Sequence, residues 1–254
     1  MKKYPFHFAI LIFTAIAVAG CSTARISNEK AFAPPTHLTA TLATPLDIDL
    51  QWQNNAANAA GNFVEYSPYA NDQFVIITAL PPEVTKYRHA HLLPHTRFVF
   101  RIVPFFGPAS GIAEIKTGKR GGQESPTAAE MADTNSPEAG IKASIRSMKT
   151  FAEAAPTGFR ATLIPPAGVK FDWVDHAADA DGYLLEIKPE WGSRFEVSAF
   201  LPAHSTTLAT YGFPFDSRFQ FRVRPFFYGQ PSNLAEQTTG GGASPGFGPW
   251  IKSN

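Results

Sequence analysis

The chain is written twice. Displaced by 121 positions, residues 35–118 lie over 156–239 without a gap. Pro35-Thr36 meets Pro156-Thr157, Trp52 meets Trp173, Gly61 meets Gly182 and Glu65 meets Glu186. Phe74, Leu80 and Pro81 meet Phe195, Leu201 and Pro202. The longest matching block sets Arg97-Phe98-Val99-Phe100-Arg101-Ile102-Val103-Pro104-Phe105-Phe106 over Arg218-Phe219-Gln220-Phe221-Arg222-Val223-Arg224-Pro225-Phe226-Phe227. Solenoids repeat every 20–50 residues or so, so a period this long means tandem units, each large enough for its own core.

Within each unit the apolar period is two. Ile48, Leu50 and Trp52 alternate with Asp47, Asp49, Gln51 and Gln53. Phe98, Phe100 and Ile102 alternate with Arg97, Val99, Arg101 and Val103. That is the pattern of a half-buried strand. Pro68, Asn71-Asp72, Pro81-Pro82 and Gly107-Pro108 interrupt it at short intervals. Short strands broken by turns predict an all-β chain of two tandem β-sandwiches.

Each repeat resembles a fibronectin type III domain. An aliphatic-x-aliphatic-x-Trp strand is matched by Ile48-Asp49-Leu50-Gln51-Trp52 and by Val169-Lys170-Phe171-Asp172-Trp173. A Glu-bearing strand is matched by Val64-Glu65-Tyr66 and by Tyr183-Leu184-Leu185-Glu186. The first repeat also carries Thr85, Tyr87, Leu92, Pro94, Thr96, Phe98, Phe100 and Ile102 at the family's spacing. The second is looser, with Thr206, Leu208, Phe213, Phe215, Ser217, Phe219, Phe221 and Val223, and its proline moved to Pro214. The chain departs from the family at Phe98 and Phe219, where a tyrosine usually returns a hydroxyl hydrogen bond to the backbone. Asn62 stands where the second repeat has Tyr183. The resemblance implies two immunoglobulin-like sandwiches that bind or space and do not catalyse.

The first twenty residues read as an address. Lys2 and Lys3 precede an apolar run, Phe8 to Ala19, too short to cross a ~30 Å hydrocarbon core as a helix. It ends in Val18-Ala19-Gly20-Cys21, which resembles the lipobox of bacterial lipoproteins. The resemblance implies cleavage before Cys21 and acylation of that residue, the only cysteine in the chain. Several acyl chains anchor firmly, because each buried CH₂ contributes about 0.8 kcal/mol. The expected setting is a bacterial cell envelope, at the outer membrane where the host has one.

The domain plan is then a signal peptide at 1–20, a tether at 21–34, a first domain at 35–118, a linker at 119–154, a second domain at 155–239 and a Gly-rich tail at 240–254. The tether reaches at most ~50 Å. In the linker, Ser136, Pro137 and Glu138 form a helix start, and Ile141, Ile145, Met148 and Ala152 follow at helical spacing. A short helix over 137–153, an unstructured linker and an amphipathic helix on anionic lipid are the three readings there. In the tail, Trp250 is expected to pack on the second repeat or to touch a partner.

Charge and motif content exclude several classes. A net charge of +1 does not supply the dense basic surface that nucleic acid requires. One cysteine rules out a disulfide framework and a Cys-based zinc site. No Walker-type loop, nucleophile elbow or dinucleotide fingerprint is present. His89-x-His91, with His95, reads as a polar edge rather than a metal site, and Asp175, Asp179 and Asp181 as a polar turn. No catalytic residue, metal ligand or cofactor is expected.

The candidate binding surface is aromatic. Phe105, Phe106, Phe226, Phe227 and Tyr228 fall where the penultimate strand of each repeat enters its loop, and Trp191 occupies a turn. Strict alternation points Phe106 and Phe227 inward and Phe105 and Phe226 outward. The rings can pack over the core, hold a protein partner in the envelope, or offer a platform to a polysaccharide.

Overall fold

The computed structural model describes residues 31–67, 73–119, 153–165 and 167–241. Cys21, residues 137–152 of the linker and Trp250 lie outside the described residues.

Fourteen strands are found among the described residues. Repeat 1 supplies β1 (Thr36–Thr44), β2 (Asp47–Gln53), β3 (Gly61–Ser67), β4 (Val75–Leu80), β5 (Lys86–His89), β6 (Arg97–Phe106) and β7 (Ala113–Lys116). Repeat 2 supplies β8 (Thr157–Ile164), β9 (Gly168–Val174), β10 (Gly182–Pro189), β11 (Glu196–Leu201), β12 (Thr207–Thr210), β13 (Arg218–Tyr228) and β14 (Ala235–Thr238). Two small sheets, β1-β2-β5 and β8-β9-β12, are equivalent in the two repeats. Each packs on part of one eight-stranded sheet ordered β11-β10-β13-β6-β3-β4, with β14 beside β6 and β7 beside β13. All-β, immunoglobulin-like sandwich architecture is therefore present twice.

Alternation decides what fills each sandwich. Ile48, Leu50 and Trp52 of β2 meet Val64 of β3 and Phe98, Phe100 and Ile102 of β6 in the first core. Val169, Phe171 and Trp173 meet Tyr183, Leu185, Phe219, Phe221 and Val223 in the second. Each fully buried large apolar side chain contributes roughly 1.5–3 kcal/mol relative to exposure, an upper estimate.

The last strands are exchanged. In a self-contained sandwich β7 would return beside β6. Instead Ala113–Lys116 pairs with Phe221–Arg218 of β13, and Ala235–Thr238 pairs with Phe100–Arg97 of β6. The last strand of segment 35–118 thus belongs by hydrogen bonding to the second repeat, and that of 155–239 to the first. The two sides are alike, but the counterparts here, such as Ser110 and Ser232, stand 122 positions apart and not 121, so the gap-free register fails after the crossing, where repeat 2 has Tyr228 as one residue more. Ser110 closes on Val223 through its amide (2.8 Å) and its hydroxyl (3.0 Å), and Ser232 closes on Ile102 with the same distances. Further along, the Thr117 hydroxyl donates to Pro214 O (2.6 Å) and accepts from Ser217 N (3.0 Å). The Thr239 hydroxyl donates to Leu93 O (2.6 Å) and accepts from Thr96 N (2.9 Å).

Where the exchanged segments cross, β6 and β13 pair with each other. Phe106 lies opposite Phe227, its own counterpart one repeat on, and Phe105 opposite Tyr228. A local two-fold axis runs through the Phe106–Phe227 pair. Gly107 sits at φ 139°, where a Cβ would collide with Pro225 O, so only glycine passes the crossing.

The outer faces of the two halves of the long sheet meet and make a third core. Phe63, Ile76, Val103 and Phe105 of repeat 1 pack with Leu184, Phe226 and Tyr228 of repeat 2. Phe63 stacks on Phe105 at 4.4 Å and meets Phe226 edge-on at 5.2 Å. Each half also pairs a glycine with an aromatic across strands: Gly61 with Phe105, Gly182 with Phe226. The ring lies over the bare backbone, and a Cβ on Gly182 would stand 2.6 Å from Phe226 Cε1.

The exchange makes a direct prediction. Cleavage of the chain at a protease site placed between residues 120 and 152 should yield two fragments that co-elute on size exclusion and separate only in denaturant. Independent elution would mean that each repeat closes its own sheet.

Candidate functional site

The aromatic surface is not at the surface. Phe105, Phe106, Phe226, Phe227 and Tyr228 are all buried, Phe105 at 2% exposure and Phe226 at 0%. Alternation assigns the faces correctly: Phe106 and Phe227 join the second core, while Phe105 and Phe226 point to the opposite side. What it cannot supply is that the opposite side is covered by the other repeat. The outward assignment of Phe105 and Phe226 is therefore corrected to burial between the repeats. Trp191 remains accessible, at 64%, on the Pro189–Gly192 turn, with its ring edge-on to Phe219 at 5.6 Å.

Behind these rings each repeat carries the same trio, buried in the first repeat and partly exposed at Arg222 and Phe195 in the second. Arg101 donates Nε to Glu65 (2.6 Å), and its guanidinium lies over Phe74, 3.9 Å from the ring centroid. One repeat later Arg222 donates Nε to Glu186 and lies over Phe195 at 4.2 Å. The pairs sit directly opposite on neighbouring strands. Glu186 takes a second arginine, Arg224, at 3.2 Å. Burial lowers Arg224 from the ordinary arginine value, opposed by Glu186. Burial raises the Glu65 carboxyl, opposed by Arg101. Tyr228 packs in the third core beside Phe63, and burial, reinforced by Glu65 and Asp181, pushes its phenol well up.

Beside the second trio the molecule has a cavity of about 440 Å³. Repeat 1 contributes Thr78 to Glu83 and Phe105, and repeat 2 contributes Glu186, Arg222 and Arg194 to Val197. Sequence reasoning found none of these as a group, because they come together only across the repeats.

The other candidate clusters are structural. His89 is ringed by Tyr66, Phe98 and Phe100, and burial lowers it from the ordinary histidine value. Among the described residues no three His, Cys, Asp or Glu side chains gather as a metal site. Asp175 caps a turn: it accepts from Ala177 N (2.6 Å) and from the Tyr183 hydroxyl, with His204 Nδ1 at 3.2 Å. Burial raises its carboxyl, but the Tyr183, Ala177 and His204 interactions outweigh this and hold it below the usual value of 3.8. Asp181 anchors the crossing by accepting from Tyr228 N at 2.8 Å.

No family profile and no curated protein matches the chain. Solved structures do. A two-domain fibronectin type III segment of chicken tenascin covers 81% of this chain and 99% of its own at 14% identity and a TM-score of 0.27. A Fn3-like protein from Clostridium thermocellum covers 29% of this chain and 76% of its own, at 23% identity and 0.26. A FN3 domain of human collagen XX covers 29% and 75%, at 14% and 0.26. The fold assignment above stands on the strand pairing.

Two outcomes are expected. Phe105→Ala and Phe226→Ala should each cost about 3–5 kcal/mol, since a buried ring is lost from a packed core, and melting should fall by about 10 °C. A melting temperature unchanged within a degree would return these rings to the surface. Asp175→Asn should cost about 2 kcal/mol at pH 7, because hydrogen bonds to a charged acceptor are lost. A carboxyl depressed by folding stabilises above its unfolded value and stops doing so as pH falls through the folded value. The gap in stability between wild type and Asp175→Asn should therefore close as pH is taken below 3.8. A gap that widens in acid would overturn the assignment.

Proposed function

We propose that this chain is a non-catalytic, lipid-anchored protein of a bacterial cell envelope that holds a rigid two-repeat unit off the membrane for protein–protein contact. The reciprocal exchange of β7 and β14 carries the reading. Two sandwiches joined only by a linker would pivot; here each supplies the other's edge strand and the pair shares a third core. Such a body suits spacing and presentation. The lone Cys21 after the apolar run Phe8 to Ala19 supports the anchor.

The reading is tested in cells fed an alkyne-bearing palmitate analogue. The wild-type chain should take up the label and sediment with membranes, and Cys21→Ser should lose the label and appear in the soluble fraction. In-cell crosslinking of the lipidated chain, followed by mass spectrometry, should recover one envelope protein repeatedly. Labelling that survives Cys21→Ser, or recovery of abundant neighbours alone, counts against it.

A glycan-binding role is a second reading, favoured by the exposure of Trp191 alone. Polysaccharide should then quench fluorescence that is absent from Trp191→Phe.

A further inference from the structure

The cavity between the repeats exists because the local two-fold is broken. At Ala79 repeat 1 has a methyl where repeat 2 has Phe200, and Phe200 packs against Phe63 at 5.9 Å. At the crossing repeat 2 has one residue more: Gly107 and Gly229 lie over the counterpart carbonyls of Pro225 and Pro104, and the additional Tyr228 fills the space beside Glu65 and Arg101. The side around Glu65 is thus plugged by two rings, and the side around Glu186 is open.

The open side is bounded by strand edges. β4 and β11 are the two ends of the long sheet, and they approach each other without pairing. β4 reads Val75-Ile76-Ile77-Thr78-Ala79-Leu80, with no charge and no proline. Edges exposed to solvent are normally blunted by such residues, and one left without them pairs readily with another chain. At the bottom of the cavity Arg222 spends Nε on Glu186 and stacks on Phe195. Its two terminal nitrogens make no hydrogen bond among the described residues. Glu186 is shared by Arg222 and Arg224, so this partly buried group carries a net +1. At the rim Arg194 stands between Glu83 (3.7 Å) and Glu196 (3.9 Å), a net −1.

We infer that this slot binds an extended peptide, which adds a strand to β4 at Thr78–Leu80 and sets an acidic side chain on Arg222. Main-chain hydrogen bonds along the free edge give affinity, and a pocket for alternate side chains gives selection. A carboxylate meets the two unused guanidinium nitrogens as a fork. The charge pattern sets the order along the peptide: acid at the bottom, neutral or basic residue at the rim. This names the partner chemistry for the interaction role proposed above, but it does not depend on lipid anchoring.

The probe is an end-capped hexapeptide of alternating valine and threonine with one central glutamate, titrated by fluorescence anisotropy against the full chain with and without its lipid. The expected result is saturable binding to both forms, about tenfold weaker when glutamate is replaced by glutamine, and lost when alternate backbone amides are N-methylated. Ala79→Phe should abolish binding while keeping the wild-type melting temperature, because Phe200 already occupies the equivalent place in this fold. Absence of binding at millimolar peptide, equal affinity for the N-methylated peptide, or undiminished binding to a folded Ala79→Phe overturns the inference. Should Ala79→Phe unfold, the N-methylated and glutamine peptides still decide on the wild-type chain. Failure of the anchor alone would show in Cys21→Ser cells and leave this titration unchanged.

Discussion

β6 and β13 each need a partner on both sides, and each takes one side wholly from the other repeat. β6 has β3 on one edge. Its other edge is occupied in turn by β14, by Ser232 at Ile102, by the Gly229 amide at Pro104 O (2.7 Å) and by Tyr228 and Phe227 of β13. The edge of β13 is filled the same way from β7, Ser110 and β6. Buried backbone groups left unpaired cost about 1–3 kcal/mol each, so neither long strand is stable without the other repeat. Everything else follows from that dependence: the crossing at Gly107, the contact of the outer faces, and the cavity beside it.

Exchange within one chain adds only loop-closure entropy, which grows slowly with length. The two repeats are tethered, so each meets the other's last strand at an effective concentration that a free partner would not reach. The gain is the third core. Had β7 folded back on β6, Phe63, Phe105, Leu184 and Phe226 would lie on open sheet faces. Exposed aromatic rows of that kind invite aggregation. The exchange brings the two rows together, and the Gly61–Phe105 and Gly182–Phe226 pairs let the rings lie flat enough to fit.

The strands and the faces were legible in the sequence; the exchange was not. Alternation in Ile48-Asp49-Leu50-Gln51-Trp52 places that strand and its buried face without ambiguity. Even Phe105 and Phe226 point where the period of two puts them. The identity of the strand beside β6 was hidden by the repeat itself. Ala113-Glu114-Ile115-Lys116 and Ala235-Glu236-Gln237-Thr238 share their first two residues, and Arg97 and Arg218 offer the same partner to either glutamate. Arg97 pairs with Glu236, and Arg218 with Glu114 at 3.3 Å. Self-pairing and cross-pairing satisfy the same local chemistry, so no periodicity separates them. Only the cover over Phe105 and Phe226 does, and that is a tertiary fact.

The two copies keep in common what they need to hold each other. The block from Arg97 to Phe106 and its counterpart carry the edge pairing, the Arg–Glu–Phe trio and the crossing pair Phe106–Phe227. A shared surface in a duplicated chain is commonly taken for a shared ligand site; here the ligand of each copy is the other copy. Selection for an outside partner then acts where the copies differ. Ala79 stands against Phe200, and Tyr228 is an aromatic residue that repeat 1 lacks at the crossing; both differences open space on the same side of the axis. A symmetric pair of repeats would have two plugged sides or two open ones. Departure from symmetry at two independent positions, with the same steric result beside an undefended strand edge, is what a site built for one occupant requires.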